Sequence, residues 1–272
     1  MEPVFSGSNR TKIEDKKIDT DLIDAELSNR LFVRLIAKGK RLQKIDFKYS
    51  IFDTCYLRNC IFDSCDFTGC RFVGTSLYGS TFSGCQFDYC IFERTIVASD
   101  VLRNCCPAAE NLKMRFARTL RVNYQQLGDA PAANMAIHVE LDATQEHLWK
   151  AWRSNDWYYR QKYAKGKRVK AFLDWIGFKC LDWIWGNGEN AWKLLRAVIV
   201  LLALISFRDV FIHRDPWQVR SYLSAAVQAP QIFLGTTSPS YYSSGYLALI
   251  VLCRLIAFAF LMSIVLKRFN RR

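Results

Sequence analysis

Histidine is scarce in this chain of 272 residues. His138, His147 and His213 stand too far apart to suggest a metal cage. No Walker, dinucleotide-binding, HExxH or GxSxG motif occurs. No constellation of nucleophile, base and orienting group can be assembled, so enzyme activity, a cofactor and a metal are not expected. The tripeptide His213-Arg214-Asp215 copies part of a kinase catalytic loop, but nothing else of a kinase accompanies it. A secretory leader needs an apolar run of about 7–15 residues, and the first 30 residues are polar and charged. Without a leader, the ten cysteines are expected in a reducing cytosol. Acidic residues are absent from the whole stretch after Asp215.

Positive charge and a five-residue rhythm are what the chain does have. Lys and Arg number 38 against 25 Asp and Glu, a formal net charge of +13. That balance points to nucleic acid, an acidic partner or a membrane surface, depending on where the charge lies. From Phe47 to Phe92 every fifth residue is Phe or Leu. Two places before each stand Ile45, Ser50, Cys55, Cys60, Cys65, Cys70, Thr75, Ser80, Cys85 and Cys90, nine of the ten small. A period of five smears around a helix and alternates faces on a flat strand. A chain that turns a corner every five residues satisfies it. Each side sends one large and one small residue inward, four sides close a coil of twenty residues, and coils stack at about 4.8 Å. The rhythm fades at Thr95 and Val97. It fails before Gln43, where Lys40 occupies the small position, so two and a half coils are expected.

These residues resemble the pentapeptide-repeat family, and the resemblance implies a right-handed quadrilateral β-helix. Some soluble members of that family mimic DNA, which requires a long acidic rod. Residues 43–95 hold six acids and five bases, so that role is not expected here. Six cysteines fill the small inward position. Metal or redox chemistry is one reading; a buried thiol ladder is the simpler one, since the CxxxxC spacing matches no zinc pattern. Cys65 is expected to stack on Cys85 and Cys70 on Cys90. Cys105 and Cys106 lie outside the rhythm and receive no role.

From Asn111, apolar residues at Leu112, Phe116, Leu120, Tyr124 and Leu127 form a helical stripe. Gly128 reads as a stop, Asp129 as a cap and Pro131 as an early position of a second helix. The stretch "NYQQLGDAPAA" resembles a tetratricopeptide hairpin; a single hairpin implies a structural adaptor. Seven of the eight tryptophans lie between Trp149 and Trp192. On a helical wheel over Lys167–Trp185 the charges fill one half and apolar residues most of the other. This is either an interfacial helix, with Trp175, Trp183, Trp185 and Trp192 at the headgroups, or a helix packed on its own domain.

Tyr246–Leu266 is 21 residues with one charge, Arg254, and thirteen Leu, Ile, Val or Phe. Those thirteen favour insertion by roughly 4–8 kcal/mol against about 2.5–3.5 for one central Arg, so a membrane span is expected. Leu194–Ile212 is long enough for a second, with Arg196 and Arg208 near its ends where they can snorkel. Basic residues precede the first span, and Lys267, Arg268, Arg271 and Arg272 follow the second. The positive-inside rule then places both termini in the cytoplasm, at a bacterial inner membrane.

Between the spans, a short helix-like piece precedes Phe233-Leu234-Gly235-Thr236-Thr237-Ser238. Span, re-entrant helix, filter-like loop, span resembles the pore module of two-span potassium channels. "WGNGENAWKLLRAV" (Trp185–Val198) resembles the junction that joins pentapeptide repeats to such a module in bacterial membrane proteins. The resemblance implies a homotetramer with ions passing at residues 233–238. A potassium filter uses backbone carbonyls freed by glycines, yet no GYG or GFG occurs, and no carboxylate is available to form a ring. A nonselective or anion-tolerant pore follows. Arg254 reads either as a pore charge or as a partner of backbone carbonyls or Asp209.

The expected architecture is therefore mixed. Residues 1–42 form a polar segment and cap, 43–97 the β-helix and 98–165 a helical adaptor. Residues 166–190 form an interfacial helix, and 191–272 a two-span membrane domain with a pore-like segment at 221–239. The expected function is an ion-channel-like protein whose cytosolic repeats assemble or gate it. The alternatives are a membrane-anchored scaffold with an unknown protein partner, or a triggered depolarising effector. Nucleic acid is not expected as a partner.

Overall fold

Every fifth residue between Arg34 and Arg94 takes a left-handed backbone conformation, and the chain turns a corner there. At Thr54, Asn59 and Ser64 successive φ values are 51°, 53° and 56°. Between corners lie short parallel strands, seen here in a computed structural model that describes residues 10–164, 166–188 and 190–270. The backbone alone is described at Lys267, Arg268 and Asn270. Residues 1–9 of the expected N-terminal segment, and Arg271 and Arg272 of the basic terminus, lie outside the described residues.

Four sides result. The first stacks β1 (Thr11–Glu14), β4 (Arg30–Val33), β7 (Ile51–Asp53), β10 (Arg71–Val73) and β12 (Ile91–Glu93). The second stacks β2 (Lys17–Ile18), β5 (Ile36–Lys38) and β8 (Tyr56–Arg58). The third stacks β3 (Leu22–Ile23), β6 (Arg41–Gln43), β9 (Ile61–Asp63) and β11 (Thr81–Ser83). The fourth is a run of single parallel bridges from Glu26 through Asp46 and Asp66 to Gln86. Inside, Phe32, Phe52, Phe72 and Phe92 stack with ring centroids 4.9, 4.8 and 5.0 Å apart, the spacing of the strands that carry them.

The solenoid has about four turns, not two and a half. It begins at Thr11, so the part of residues 1–42 that is described forms coils and not a polar cap. Two departures hid this. The first coil is one residue short, pairing Thr11 with Arg30 and Lys17 with Ile36, whereas Leu22 pairs with Leu42 in the regular step of twenty. On the side holding Leu35 and Ala37 the large and small residues are exchanged, yet both are buried, because the pair fills the same volume in either order. Lys40, half-buried in a small position, keeps its charge partnered, its Nζ donating to the Asp19 carbonyl at 2.7 Å.

Past the last coil come α1 (Val101–Asn104), α2 (Glu110–Gln126), α3 (Ala130–Arg153) and α4 (Trp157–Lys162). Helices α2 and α3 form a hairpin. Gly128 turns at φ 73°, and Asp129 accepts at its side chain from the Ala132 N–H at 3.0 Å. Glu140 of α3 takes both Arg118 and Arg121 of α2, each at 2.8 Å.

The chain divides into two units, residues 1–171 and 172–272, with the boundary inside α5 (Gly166–Trp185). The second unit holds a 3₁₀ turn at Gly186–Gly188, α6 (Ala191–His213), α7 (Val219–Leu234) and α8 (Ser244–Asn270). Among the described residues one helix, Ser244–Leu266 within α8, is long and apolar enough to cross a membrane. Helix α6 encloses the other expected span but falls short of that standard. Any 18 residues of it include at least three of Lys193, Arg196, Arg208 and Asp209.

Candidate functional site

In the solenoid the small inward residues make contacts as well as room. Thr75 and Ser80 each accept from a backbone N–H of the coil before, Cys55 at 3.2 Å and Cys60 at 3.0 Å. They also donate to the carbonyls of Phe52 and Leu57, at 3.0 and 2.8 Å. The thiols repeat the second contact: Cys70 donates to the Phe47 carbonyl at 2.9 Å and Cys90 to that of Phe67 at 2.8 Å. All ten cysteines are free. Burial pushes the Cys55 thiol up to about 11 and the Cys70 thiol up to about 12, which keeps both neutral and poorly nucleophilic. Cys105 continues the ladder although it lies beyond the five-residue rhythm. Its sulfur reaches the Phe82 carbonyl, 23 residues back like the others, at 3.7 Å.

In the helical part of this unit His147 is set among polar partners. Its ring nitrogens meet the hydroxyls of Tyr159 at 3.3 Å and Tyr163 at 3.0 Å. Burial holds it below the usual histidine range. Among the described residues no group of His, Cys, Asp and Glu is placed to hold a metal.

In the second unit the six filter-like residues straddle a helix end. Phe233 and Leu234 close α7, with Phe233 buried, and Gly235 follows in the left-handed region at φ 80°. The Thr236 N–H and hydroxyl both turn back to the Gln231 carbonyl, at 2.9 and 3.0 Å. Gly235 donates to Ile232 O at 3.1 Å. The Thr237 N–H also points at Gln231 O, at 3.4 Å, and Ser238 enters the following loop. The backbone over Phe233–Gly235 is thus helix and cap, not the extended run that a carbonyl-lined filter uses. Arg254 of α8 lies against the end of α7. Its Nη1 donates to the Leu234 carbonyl at 2.7 Å, a cation at a helix C-terminus. A Cβ at position 235 would overlap that guanidinium, so the glycine is needed for space as well as for φ.

A second polar cluster ties α6 to α7 and the loop after it. Asp209 is buried, takes Arg214 at 2.7 Å and accepts from Tyr242 at 2.9 Å, while Arg214 also reaches Ser224 and Gln228. Of the four expected interface tryptophans, Trp183 and Trp192 are exposed. Trp185 stacks on Phe260 of α8 with centroids 4.1 Å apart, and Trp175 lies half-buried beside Phe172. On α5, Leu173, Ile176 and Leu181 are exposed with Trp183 and form an apolar stripe.

Two family models for pentapeptide repeats match, one over residues 41–79 and the other over residues 62–102. The chain therefore carries pentapeptide repeats within residues 41–102. Two trypsin-treated variants of QnrB1, a plasmid-mediated fluoroquinolone resistance protein, are among the similar solved structures. The first has 12% identity and a TM-score of 0.15, and covers 32% of this chain and 81% of its own. The second has 19% identity and a TM-score of 0.17, and covers 33% of this chain and 54% of its own. No curated protein matches the chain by sequence.

What composition did not reveal is how the pentapeptide repeats end. Helix α2 lies across the last coil. Phe116 covers Phe87 and Phe92, with centroids 5.7 and 6.1 Å away. Thr119, Asn123 and Gln126 then accept from the backbone N–H groups of Phe92, Thr95 and Arg94. Those three fall at i, i+4 and i+7 on the same helical face, a polar stripe beside the apolar one that is visible in sequence once the partner is known.

Proposed function

We propose that the chain is a membrane-anchored scaffold, with a pentapeptide-repeat solenoid as the protein-docking part and the C-terminal helices as the anchor. The observation that carries it is α8. Its membrane-length stretch is only 11% buried in its own fold, whereas the core helix of a soluble domain would be mostly covered. In this reading α6 is a second span, its Arg196 and Arg208 snorkelling toward the two surfaces. The exposed stripe of α5, with Trp183 and Trp192, rests at lipid headgroups. The cations before α6 and after α8 keep both termini and the solenoid cytosolic, at a bacterial inner membrane.

Scaffold is preferred to channel because residues 231–236 use their carbonyls and N–H groups to finish α7. The flat faces of the solenoid need no enzyme pocket to recognise a partner. The test is reconstitution of the full-length chain into planar bilayers under asymmetric KCl, beside carbonate washing of liposomes that carry it. Protein that resists the wash and passes no current supports the scaffold. A steady current overturns it in favour of a pore, with the reversal potential naming the ion. Release by carbonate overturns the anchor.

A further inference from the structure

Charge is distributed unequally over the four sides of the solenoid. On the first and third sides several cations pair with carboxylates, as Arg71 does with Glu93 at 2.7 Å and Arg41 with Asp63 at 3.4 Å. The second and fourth sides are opposite faces of the coil, and neither is balanced. On the second side Lys17 is paired with Asp19, but Lys38 and Arg58, on successive coils, hold no ion pair among the described residues. Arg58 is fixed in place nonetheless. Its guanidinium bonds the Tyr56 hydroxyl and lies 5.1 Å from the ring centroid of Tyr56 and 4.6 Å from that of Tyr78, while its Nε is shielded and has no hydrogen-bond partner. Around it Ile36, Tyr56, Tyr78 and Ile96 are 44%, 40%, 57% and 47% exposed.

The fourth side is the counterpart. It carries Glu26, Asp46, Asp66 and Asp88, and Lys48 pairs with Asp46 and Asp66 at 3.3 and 3.2 Å, while Glu26 and Asp88 hold no ion pair among the described residues. Asp88 lies close enough to Asp66 that the neighbouring carboxylate adds to burial in raising its carboxyl.

We propose that the second side of one solenoid docks on the fourth side of a second copy of this chain. Charge complementarity requires an acidic partner for Lys38 and Arg58. Rung spacing selects which one: successive carboxylates on the fourth side and successive cations on the second are set by the same strand repeat, about 4.8 Å. A second copy therefore meets the cations rung for rung, and another acidic surface does so only by coincidence. The two patches differ and lie on opposite faces, so the contact is heterologous and propagates as a row. Each face is narrow, and the association gains its strength from the concentration imposed by a shared bilayer. The inference names the partner of the proposed scaffold and rests on that reading.

The test uses the full-length chain in liposomes with a photoreactive benzophenone amino acid in place of Ile36. Cross-links to peptides containing residues 46–48 or 66–68 of another copy, in a ladder of multiples, support the row. Arg58→Glu and Asp88→Lys chains, each with an unchanged unfolding curve, are expected to cross-link about tenfold less, the effect of losing ~1.4 kcal/mol. Mixing the two chains restores cross-linking, because the intact second side of the Asp88→Lys chain then meets the intact fourth side of the Arg58→Glu chain. Cross-links to lipid or to first-side or third-side peptides, or no cross-links from protein that floats with the liposomes, overturn the row and leave the anchor standing. Protein that does not float overturns the anchor, and its cross-links in solution then decide the row separately.

Discussion

Asn123 holds the backbone of Thr95 from both sides, accepting from its N–H at 2.7 Å and donating to its carbonyl at 2.8 Å. Thr95 stands where the next coil would have supplied those partners, and both residues are fully buried. One amide therefore imitates a missing strand.

Replacing it should be costly. Asn123→Leu leaves a buried N–H and a buried carbonyl without partners, each worth about 1–3 kcal/mol. We expect loss of about 2–6 kcal/mol, read from the thermal unfolding of the β signal. Asn123→Asp keeps the acceptor, loses the donor and buries a charge, and should do no better. Unfolding unchanged in both variants would show that α2 does not cap the solenoid.

The exchanged pair Leu35 and Ala37 makes a prediction of a different form. Leu35→Ala alone opens a cavity, at about 2–5 kcal/mol, and Ala37→Leu alone overfills the core, at about 1–3 kcal/mol. Made together they restore the order of the other sides. The double variant should be more stable than either single one, with a coupling that denaturant titration resolves. Simple addition of the two losses would mean the side does not tolerate the exchange.

The buried thiols give a pH dependence. Cys70 is raised from 9.0 to about 12 and Cys55 from 9.0 to about 11 when folded. Below about 9 both states carry the proton and the stability is fully present. Above it the unfolded chain ionises first, so stability falls with rising pH until the folded pKa is reached, by up to about 1.4 kcal/mol per unit for each thiol. Melting temperatures should drop between pH 9 and 12, and less steeply in Cys55→Ser/Cys70→Ser, where hydroxyls fill the same positions. In native protein iodoacetamide should label the exposed Cys180 and spare the ladder.

Arg254 and Gly235 are coupled by contact. Gly235→Ala displaces the guanidinium and strains φ 80°, and Arg254→Ala uncaps Leu234 O. Each should cost about 1–3 kcal/mol in detergent unfolding. The alanine at 235 should cost about 1 kcal/mol less once Arg254 is gone, since only the backbone strain remains. Equal cost in both backgrounds would separate the two residues.

How far the residues announced this structure depends on whether a contact is periodic. Phe47 to Phe92 repeat one environment many times, so the coil could be derived from the spacing. Leu35, Ala37 and the short first coil break the spacing while keeping the volume, and a rule written on single positions missed them. Cys105 was hidden differently: its place is fixed by a step of twenty through an intervening helical turn. Asn123 makes a unique contact, 28 residues from its partner, and no repeat could have pointed to it. In the C-terminal unit the hydropathy of α8 was legible, but the capped end of α7 was not. A glycine followed by threonines serves a filter and a helix terminus equally well until the partner of Arg254 is known.

The square cross-section also governs what changes of length the chain can absorb. Deleting five residues anywhere between Arg41 and Glu93 keeps every corner allowed and every inward position filled. It also turns all that follows by a quarter revolution, so α2 would meet the wrong side and every outward ladder would be redistributed. Twenty residues restore the alignment. The chain can therefore lengthen or shorten only by whole revolutions, and its surface is addressed by remainder after division, like the hours on a dial.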